Sequence, residues 1–389
     1  MQYTNTRQSV LRQSLPKIRT ERTFSLKAFI ASNAVLMTAI AAAVITSVIV
    51  PPDAAYVDYF DFKTLSCLFS VLAVVCALRS VNFFTLLARR IVTKFSNLRS
   101  CFLALVYITF IGSMFIANDM ALLTFLPLGW MVVEQTGKTK YTAFLFIMQN
   151  ISANLGGMLT PFGNPQNLYL YTYFNIPTVE FMGIMLVPFI AAVTLLTVCC
   201  LFVKKEHLEL NSIEMPEVDK TGRNVYLALF GLSVVMVFRI LPYWICLIII
   251  AATLLVMNRE ALKKVDYALL FTFAAFFIFS GNMARIPAVR EVMSQLLEKD
   301  TMIFSILSCQ FISNVPSAIL LSQFTENYAE LLRGVNIGGT GTLIASLASL
   351  ITFSEYRKHF KDQTKKYILL FTAFNLLFVL VLTAVCLLF

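Results

Sequence analysis

The sequence FIANDMALLTFLPL, residues 115–128, places a polar pair, Asn118 and Asp119, at the centre of an apolar run over residues 101–133. One helix over that run would be about 50 Å long, whereas the hydrocarbon core of a bilayer is about 30 Å thick. We therefore expect a helical hairpin that enters the membrane, turns at the polar pair and returns to the same side. Two full crossings are the alternative, although their halves of about 16 residues would be short for spans.

A second apolar run, residues 301–332, contains a similar break within the sequence QFISNVPSAILLSQF, residues 310–324. Its polar pair is Ser313-Asn314, and a proline follows two residues later. This run is also too long for one crossing of the membrane as a helix. We expect a second helical hairpin with its turn at Ser313 and Asn314.

Short sequences from the first half of the chain recur in the second half. The recurring pairs are FIAN at 115–118 with FISN at 311–314, and NLGG at 154–157 with NIGG at 336–339. Two copies of one unit are implied, residues 28–203 and 242–389, joined by a cytoplasmic loop and one extra crossing in residues 204–241. Because one extra crossing reverses the second copy, we predict an inverted repeat, which is typical of alternating-access transporters.

The composition supports a membrane protein before any motif is considered. Of the 389 residues, 58% are hydrophobic and only 13% are charged, and the mean hydropathy is +0.77. These values exclude a soluble enzyme. Apolar runs of about 20 residues or more predict an all-α polytopic protein in the lipid bilayer. The eight cysteines lie in apolar runs without metal-ligand spacing, so no metal cluster or catalytic centre is predicted.

The basic residues that produce the net charge of +10 lie in the loops between apolar runs, which does not indicate a nucleic-acid-binding surface. Six basic residues lie in the tail of residues 1–27, before the first apolar run. An alternating trace places five further basic clusters on the same side of the membrane, at residues 89–99, 138–140, 204–223, 259–264 and 357–366. Because basic loops stay in the cytoplasm, we predict a cytoplasmic N-terminus, an external C-terminus, a cell-membrane location and no nucleic-acid partner.

Another overlong run, residues 141–174, contains the sequence ANLGGMLTPFGNPQNLYLY at 153–171. Glycine permits unusual dihedrals, proline ends a helix, and asparagine and threonine bring donors and acceptors. We expect a helix broken inside the membrane, with residues 334–353 as its counterpart, although an extramembrane loop could have the same composition. The candidate binding residues of the two breaks are Asn154, Gly156, Gly157, Thr160, Asn164, Asn167, Asn336, Gly338, Gly339, Thr340 and Thr342.

The second copy is shorter than the first between its turn and its broken helix. Asn118 precedes Asn154 by 36 residues, whereas Asn314 precedes Asn336 by only 22. The chain must therefore return by a shorter path in the second copy. We expect a brief helix over residues 325–332 in place of the longer arm of the first copy.

Asp119 is the candidate coupling residue, because it is the only acidic residue between Asp61 and Glu134 and is predicted at a hairpin turn. A carboxylate at that depth is costly unless it is protonated, paired or solvated, so binding a proton or a sodium ion is a natural role. Capping of the following helix is the structural alternative. Arg79, inside the apolar run of residues 65–88, is a candidate partner for Asp119 or an anion, or it reaches the inner membrane surface.

The sequences at 115–128, 153–171 and 310–324, followed by GVNIGGTGTLIASLASL at 334–350, resemble the ion transporter superfamily. The closest likeness is to its citrate-transporter-like, divalent-anion (solute carrier 13-like) and arsenite-permease-like members. In the divalent-anion members, a Ser-Asn-Thr signature at the hairpin turns holds sodium and the substrate carboxylates. The second turn of this chain matches two of those three residues. The first turn matches only the asparagine, and its Asn-Asp pair is more similar to arsenite permeases and proton antiporters.

The resemblance implies a secondary active transporter that moves a small anion, such as a di- or tricarboxylate or an inorganic oxyanion, with sodium or protons as the coupling ion. The candidate sodium ligands are Asn118, Asn154, Ser313 and Asn314. Arsenite or antimonite efflux and sodium/proton exchange are the alternatives within transport. A passive channel and a transporter-like receptor are alternatives of another class. Dimers are common in the superfamily, so a homodimer is a candidate assembly, and no organic cofactor is predicted.

Overall fold

The computed structural model describes residues 33–208 and 219–389, so the predicted basic tail of residues 1–27 lies outside the described residues. All long elements in these two segments are helices. The helices of the first segment are α1 Ala34–Ile49, α2 Phe62–Ser80, α3 Phe83–Val92, α4 Leu98–Ile116, α5 Asn118–Gln135, α6 Thr142–Gly156, α7 Pro165–Tyr173 and α8 Thr178–Leu201.

The second segment continues with helices of similar length. They are α9 Lys220–Val237, α10 Tyr243–Met257, α11 Arg259–Lys263, α12 Tyr267–Arg285, α13 Pro287–Lys299, α14 Thr301–Ile312, α15 Asn314–Leu321, α16 Tyr328–Gly338, α17 Leu347–His359 and α18 Thr364–Leu388.

Five helical segments within the described residues are long and apolar enough to cross a membrane. They correspond to α2, α4, α8, α12 and the stretch that contains α18. Large apolar side chains such as Val179, Leu369 and Leu388 point away from the protein interior on the outer helices. Such an outer surface is suited to contact with lipid tails. In that environment the backbone is stable only when its hydrogen bonds are satisfied within helices or closed barrels. The prediction of an all-α polytopic membrane protein is confirmed.

Polar residues at the loop ends set where several helices begin. Asp61, Asn97, Asp266 and Asp300 each accept a hydrogen bond from the backbone N–H three residues further on, at 2.7–2.9 Å. Each such bond satisfies one of the N–H groups that a helix leaves unpaired at its first turn, and is worth about 1 kcal/mol. The starts of α2, α4, α12 and α14 therefore follow from the local sequence.

The two predicted turns each consist of a single residue between two helices. Ala117 separates α4 from α5 with φ 61° and ψ 152°, and Ser313 separates α14 from α15 with φ 75° and ψ 160°. A positive φ is uncommon for residues that carry a side chain. At both turns the next residue is an asparagine whose Oδ1 accepts a hydrogen bond from the following backbone N–H, at 3.0 Å from Asp119 and 2.9 Å from Val315. A short hydrogen bond from the backbone to the asparagine side chain is therefore present at each helix break.

The first helix pair, α4 and α5, packs against α6, and the second pair, α14 and α15, packs against α16. The second pair is shorter than the predicted run of residues 301–332, because α15 ends at Leu321. The return helix occupies Tyr328–Gly338 instead of the expected residues 325–332. Its start follows Asn327, whose side chain accepts a hydrogen bond from the backbone N–H of Glu330 at 3.3 Å. This local cap explains the later start.

Three loops that carry basic residues meet at one end of the molecule, which we call the basic end and define as residues 93–99, 138–141 and 203–208. Leu98 N donates to Glu206 O over 2.8 Å, and Leu208 N donates to Ser96 O over 2.9 Å. The Lys138 amine also donates to the Glu206 carboxylate, and this bond lowers the pKa of that carboxyl group. Loops that the sequence assigns to one side of the membrane therefore lie together.

Candidate functional site

The two helix breaks line one cavity of about 490 Å³. Residues of α1 and α12 line part of the cavity, and both turns and the starts of α7 and α17 line another part. The polar residues that the turns and the starts of α7 and α17 contribute are Asn118, Asp119, Gln166, Ser313, Asn314 and Ser346. The structure therefore brings together two sequence motifs that are almost 200 residues apart in the chain.

Besides α1, which begins at Ala34, four helices begin at the wall of this cavity. The first residues of α5, α7, α15 and α17 are Asn118, Pro165, Asn314 and Leu347, and all four line the cavity. A helix N-terminus carries unpaired N–H groups and the equivalent of about half a positive charge. Helix N-termini bind phosphate, sulfate and carboxylate groups for this reason. The cavity therefore has a positive region made from backbone, and no arginine of the described segments lines it.

The first turn is joined to the second half of the chain through Asn154 on α6. Asn118 Nδ2 donates to Asn154 Oδ1 over 3.1 Å, and Ser346 Oγ donates to the same oxygen over 2.8 Å. All three side chains are buried. Buried polar groups contribute most when every donor and acceptor is satisfied. Asn154 is therefore a structural link between the first turn and the start of α17.

The second turn is held mainly by its backbone. Asn314 N donates to Ala345 O over 2.9 Å, and Ser313 Oγ lies 3.3 Å from the same oxygen. The asparagine side chain lies against Gly339, where an added Cβ would be 2.8 Å from Asn314 Nδ2. That distance is shorter than a Cβ contact in real structures, so an alanine at this position would require the Asn314 side chain to move.

A buried chain of asparagine side chains connects the two broken segments. Asn164 Nδ2 donates to Asn154 O over 3.0 Å and lies 3.4 Å from Asn336 Oδ1. Asn336 Nδ2 donates in turn to Asn167 Oδ1 over 2.6 Å, and Asn167 Nδ2 donates to Gly157 O over 3.0 Å. These predicted site residues do not line the cavity. They hold the interrupted backbone around it, where helical hydrogen bonds are missing.

Two glycines allow α6 and α16 to approach α4 and α14 closely. A Cβ at Gly156 would lie 2.1 Å from the backbone oxygen of Phe110 on α4, and a Cβ at Gly338 would lie 2.9 Å from the Cβ of Cys309 on α14. Phe110 is seven residues before the first turn, and Cys309 is four residues before the second. Both glycines therefore serve close helix packing instead of touching the cavity.

The predicted threonines bind the ends of the hairpin helices. Thr160 Oγ1 donates to Met114 O over 2.8 Å, and Thr342 Oγ1 donates to Gln310 O over 3.2 Å. Each acceptor lies three residues before the residue with positive φ, where the interrupted helix leaves carbonyl groups unpaired. Thr340 Oγ1 donates within its own turn to Ile337 O over 2.7 Å. None of these threonines is among the residues that line the cavity.

Some buried acceptor oxygens around the cavity have no donor among the described residues. They include Asp119 Oδ1, Gln166 Oε1 and Asn164 Oδ1. Asp119 and Gln166 both line the cavity, at the starts of α5 and α7. A buried oxygen without a donor costs free energy, and a bound cation or a proton on the carboxylate would supply the missing partner. The site can therefore accept a cation next to its positive helix ends.

Comparison with known proteins identifies the family. Residues 20–334 match the citrate transporter family. The chain belongs to that family. An uncharacterized transporter of Methanocaldococcus jannaschii is 34% identical over 296 residues, which make up 75% of this chain and 80% of that protein. The inner membrane protein YbiR of Escherichia coli strain K12 is 31% identical over 300 residues, 75% of this chain and 79% of that protein.

The family match confirms the resemblance inferred from the sequence, and the protein is a membrane transporter. The transporter's cavity also contains charged residues that the sequence analysis missed. Asp266 caps α12 at the rim, and Glu355 and Lys358 on α17 form an ion pair with an N–O distance of 2.5 Å. Glu355 and Lys358 are three residues apart, so they share a helix face. That spacing is the sequence signal that could have revealed the ion pair. The charge pattern alone places Lys358 in a cytoplasmic basic cluster.

Arg79 is not placed beside Asp119 in this transporter. It lies in the last turn of α2, is exposed, and donates to Leu123 O on α5 over 3.3 Å. The predicted apolar run of residues 65–88 is in fact two helices that meet near Arg79. Its guanidinium therefore lies at an exposed position near the end of a helix and does not line the cavity.

Proposed function

We propose that this protein is a secondary active transporter that moves a small anion across the cell membrane, coupled to a sodium or proton gradient. The anion is a di- or tricarboxylate or an inorganic oxyanion. The observation that carries this proposal is the convergence of helix N-termini on one cavity, among them those of α5, α7, α15 and α17. Backbone N–H groups and helix dipoles favour a negative group at that position, and a cavity of about 490 Å³ is large enough for a small organic anion.

The charges of the same cavity provide the reason for coupling. Among the described residues, three carboxylates, those of Asp119, Asp266 and Glu355, line it together with one amine, that of Lys358. Two of these carboxylates lie toward the rim, where Asp266 is exposed and Glu355 is paired. Asp119 is at the helix ends, where its charge opposes an incoming anion. A proton or a sodium ion at Asp119 removes that opposition, so the anion binds well only when the coupling ion is present.

The proposed cation position lies between the two turns. Asn118, Asn154, Ser313 and Asn314 are the predicted sodium ligands, and Asp119 and Gln166 add oxygens that have no donor among the described residues. Asn154 Oδ1 already accepts two hydrogen bonds, so its role in the proposal is to orient Asn118. Oxygen atoms from carboxylate and amide groups are suitable ligands for a small hard cation.

We further propose that the two halves are inverted copies that exchange access to this cavity. Matching contacts support the duplication: each turn has the same backbone conformation, and each has a close glycine and a threonine bonded three residues before the turn. The rim residues Asp266 and Lys358 adjoin the predicted cytoplasmic basic clusters. In this proposal the described conformation opens to the cytoplasm, and a rocking or elevator-like motion opens it to the outside.

Transport by the purified full chain in proteoliposomes tests the proposal. Counterflow of radiolabelled citrate, succinate, sulfate and arsenite would be measured first without a gradient, and accumulation would then be measured with imposed sodium or pH gradients. We expect saturable counterflow of at least one anion and gradient-driven accumulation of the same anion. Flux that neither saturates nor responds to a gradient would contradict the proposal and indicate a channel. Absence of any flux across the panel would favour a receptor.

Sodium/proton exchange or arsenite efflux is the second candidate, because the cavity has more carboxylates than amines. In exchange, Asp119 would bind sodium and a proton in turn, and no organic anion would be carried. Sodium-driven proton movement that is unchanged by any anion of the panel would favour exchange. Arsenite counterflow without carboxylate or sulfate counterflow would favour efflux of arsenite.

A further inference from the structure

An apolar groove of about 610 Å³ lies apart from the anion cavity, and the two share no lining residue. Its floor is α4 from Ser100 to Phe115, and its walls come from α3 and α9. Apart from Ser100 and Tyr107, its lining consists of apolar residues and one glycine. The rings of Phe115 on α4 and Phe230 on α9, with centroids 6.4 Å apart, close one end of the groove.

One side of the groove is an amphipathic helix that follows α2. Five of the ten residues of α3, namely Phe83, Phe84, Leu87, Ala88 and Ile91, line the groove. Their spacing of one, three and four residues places them on one face of the helix. Arg90 on α3 and Lys94 just after it are exposed. A short helix with one apolar and one basic face is typical of a segment that lies at the membrane surface.

The segment that forms the floor and one wall of the groove is positively charged. Residues 62–118, which include α3 and all of α4, contain no aspartate or glutamate. Among the described residues, neither Arg90 nor Lys94 forms an ion pair. The acidic residue at the nearby basic end, Glu206, is already paired with Lys138 and Lys140. Two basic side chains beside the groove are therefore available to a negative group.

We propose that this groove binds an anionic phospholipid, with one acyl chain between α3, α4 and α9 and the headgroup phosphate at Arg90 and Lys94. The part of α4 that forms the floor is about 22 Å long, more than half of a hydrocarbon core of about 30 Å. One acyl chain from the nearer membrane surface would therefore fit along it. Basic side chains next to a crevice between membrane helices are a known basis of anionic-lipid recognition. The lipid would contact α4, the first arm of the hairpin that ends at Asn118.

Native mass spectrometry of the full-length protein tests this proposal. After removal of bound lipid, phosphatidylglycerol and phosphatidylcholine with the same acyl chains would be titrated separately. We expect about a tenfold preference for phosphatidylglycerol, because each nearby basic residue favours an anionic lipid surface. The double variant Arg90→Gln/Lys94→Gln should lose this preference. Lys365→Gln/Lys366→Gln is the matched control, because it removes two exposed lysines at the start of α18, and it should keep the preference.

A variant of the groove tests the acyl-chain contact separately. Ala104→Phe places a large ring on the groove floor and should lower occupancy by both lipids, while glycerol phosphate without acyl chains should not bind. If Ala104→Phe impairs folding, Arg90→Gln/Lys94→Gln and its control still test the proposal, because all four substituted residues are exposed. Equal binding of the two lipids by the unmodified protein would overturn the proposal. The proposal would also be overturned if Arg90→Gln/Lys94→Gln kept the preference for phosphatidylglycerol. The same holds if the control Lys365→Gln/Lys366→Gln lost the preference to the same extent.

Discussion

At the first turn the residue after the asparagine is Asp119, and at the second turn it is Val315, although the two turns have nearly the same φ and ψ. The turns also differ in what holds them. The first is held by a side-chain bond from Asn118 to Asn154, and the second by a backbone bond from Asn314 to Ala345. A common backbone therefore presents two helix ends to one cavity, but only one turn carries an ionisable group.

The largest expected effect of this difference is at Asp119. The substitution Asp119→Asn keeps the size of the side chain and removes its charge, so gradient-driven accumulation should fall at least about tenfold while counterflow of the anion persists. The control is Asp266→Asn, which changes an exposed carboxylate at the rim of the same cavity and should retain accumulation. Proteoliposome uptake with and without the gradient gives both quantities. Wild-type accumulation by Asp119→Asn would remove this residue from coupling.

The next largest effect is expected on the stability of the fold, when Gly156 or Gly338 is replaced. We expect Gly156→Ala to destabilise the fold by about 1–3 kcal/mol, because the added methyl group meets a backbone oxygen that cannot rotate away. Gly338→Ala should cost less, because its nearest contact is the Cys309 side chain at a longer distance. Thermal unfolding of the detergent-solubilised protein measures the difference.

Gly231→Ala is the control for both glycines. It lies in helix α9, and an added Cβ has no atom within 4 Å. Its unfolding temperature should equal or exceed that of the unmodified protein, because alanine favours helix. If Gly338→Ala were the more damaging of the two substitutions, the packing of α6 against α4 would be less tight than described.

The smallest effect is expected at the two asparagines. Asn118→Ala leaves Asn154 with one fewer buried hydrogen bond and should weaken anion binding by about 1–2 kcal/mol. Asn314→Ala should weaken binding by less, because the backbone bond to Ala345 remains. Counterflow kinetics at a saturating concentration of the coupling ion give the substrate affinity of both variants. A variant Asn314→Ala with wild-type affinity would show that the second turn lies away from the bound anion.

The positions of the breaks could be predicted from the sequence because they depend on local chemistry. A polar pair inside an apolar run that is too long for one span has few other solutions, and the helix breaks lie within one residue of the predicted pairs. The interruption of the helices after Gly156 and Gly338 also follows from glycine, proline and asparagine in short stretches.

The contents of the cavity were harder to predict, because they depend on packing between distant helices. Asp266 is a local helix cap in the sequence, and only the position of α12 brings it to the rim. Thr160 and Thr342 were expected to line the site, and their hydroxyl groups instead satisfy carbonyl groups of the hairpin helices. Which side of a broken segment faces the cavity is a tertiary property that residue types alone do not reveal.

Labelling of the outer ends of the two hairpins tests our proposal that they belong to oppositely oriented halves. Gln135 at the end of α5 and Glu326 after α15 are exposed, and the eight native cysteines are buried, so single cysteines at these positions can be labelled selectively. A membrane-impermeant maleimide would be applied to inside-out and right-side-out vesicles. We expect that Gln135→Cys reacts only from the cytoplasmic side and Glu326→Cys only from the external side. Reaction of both from one side would contradict it.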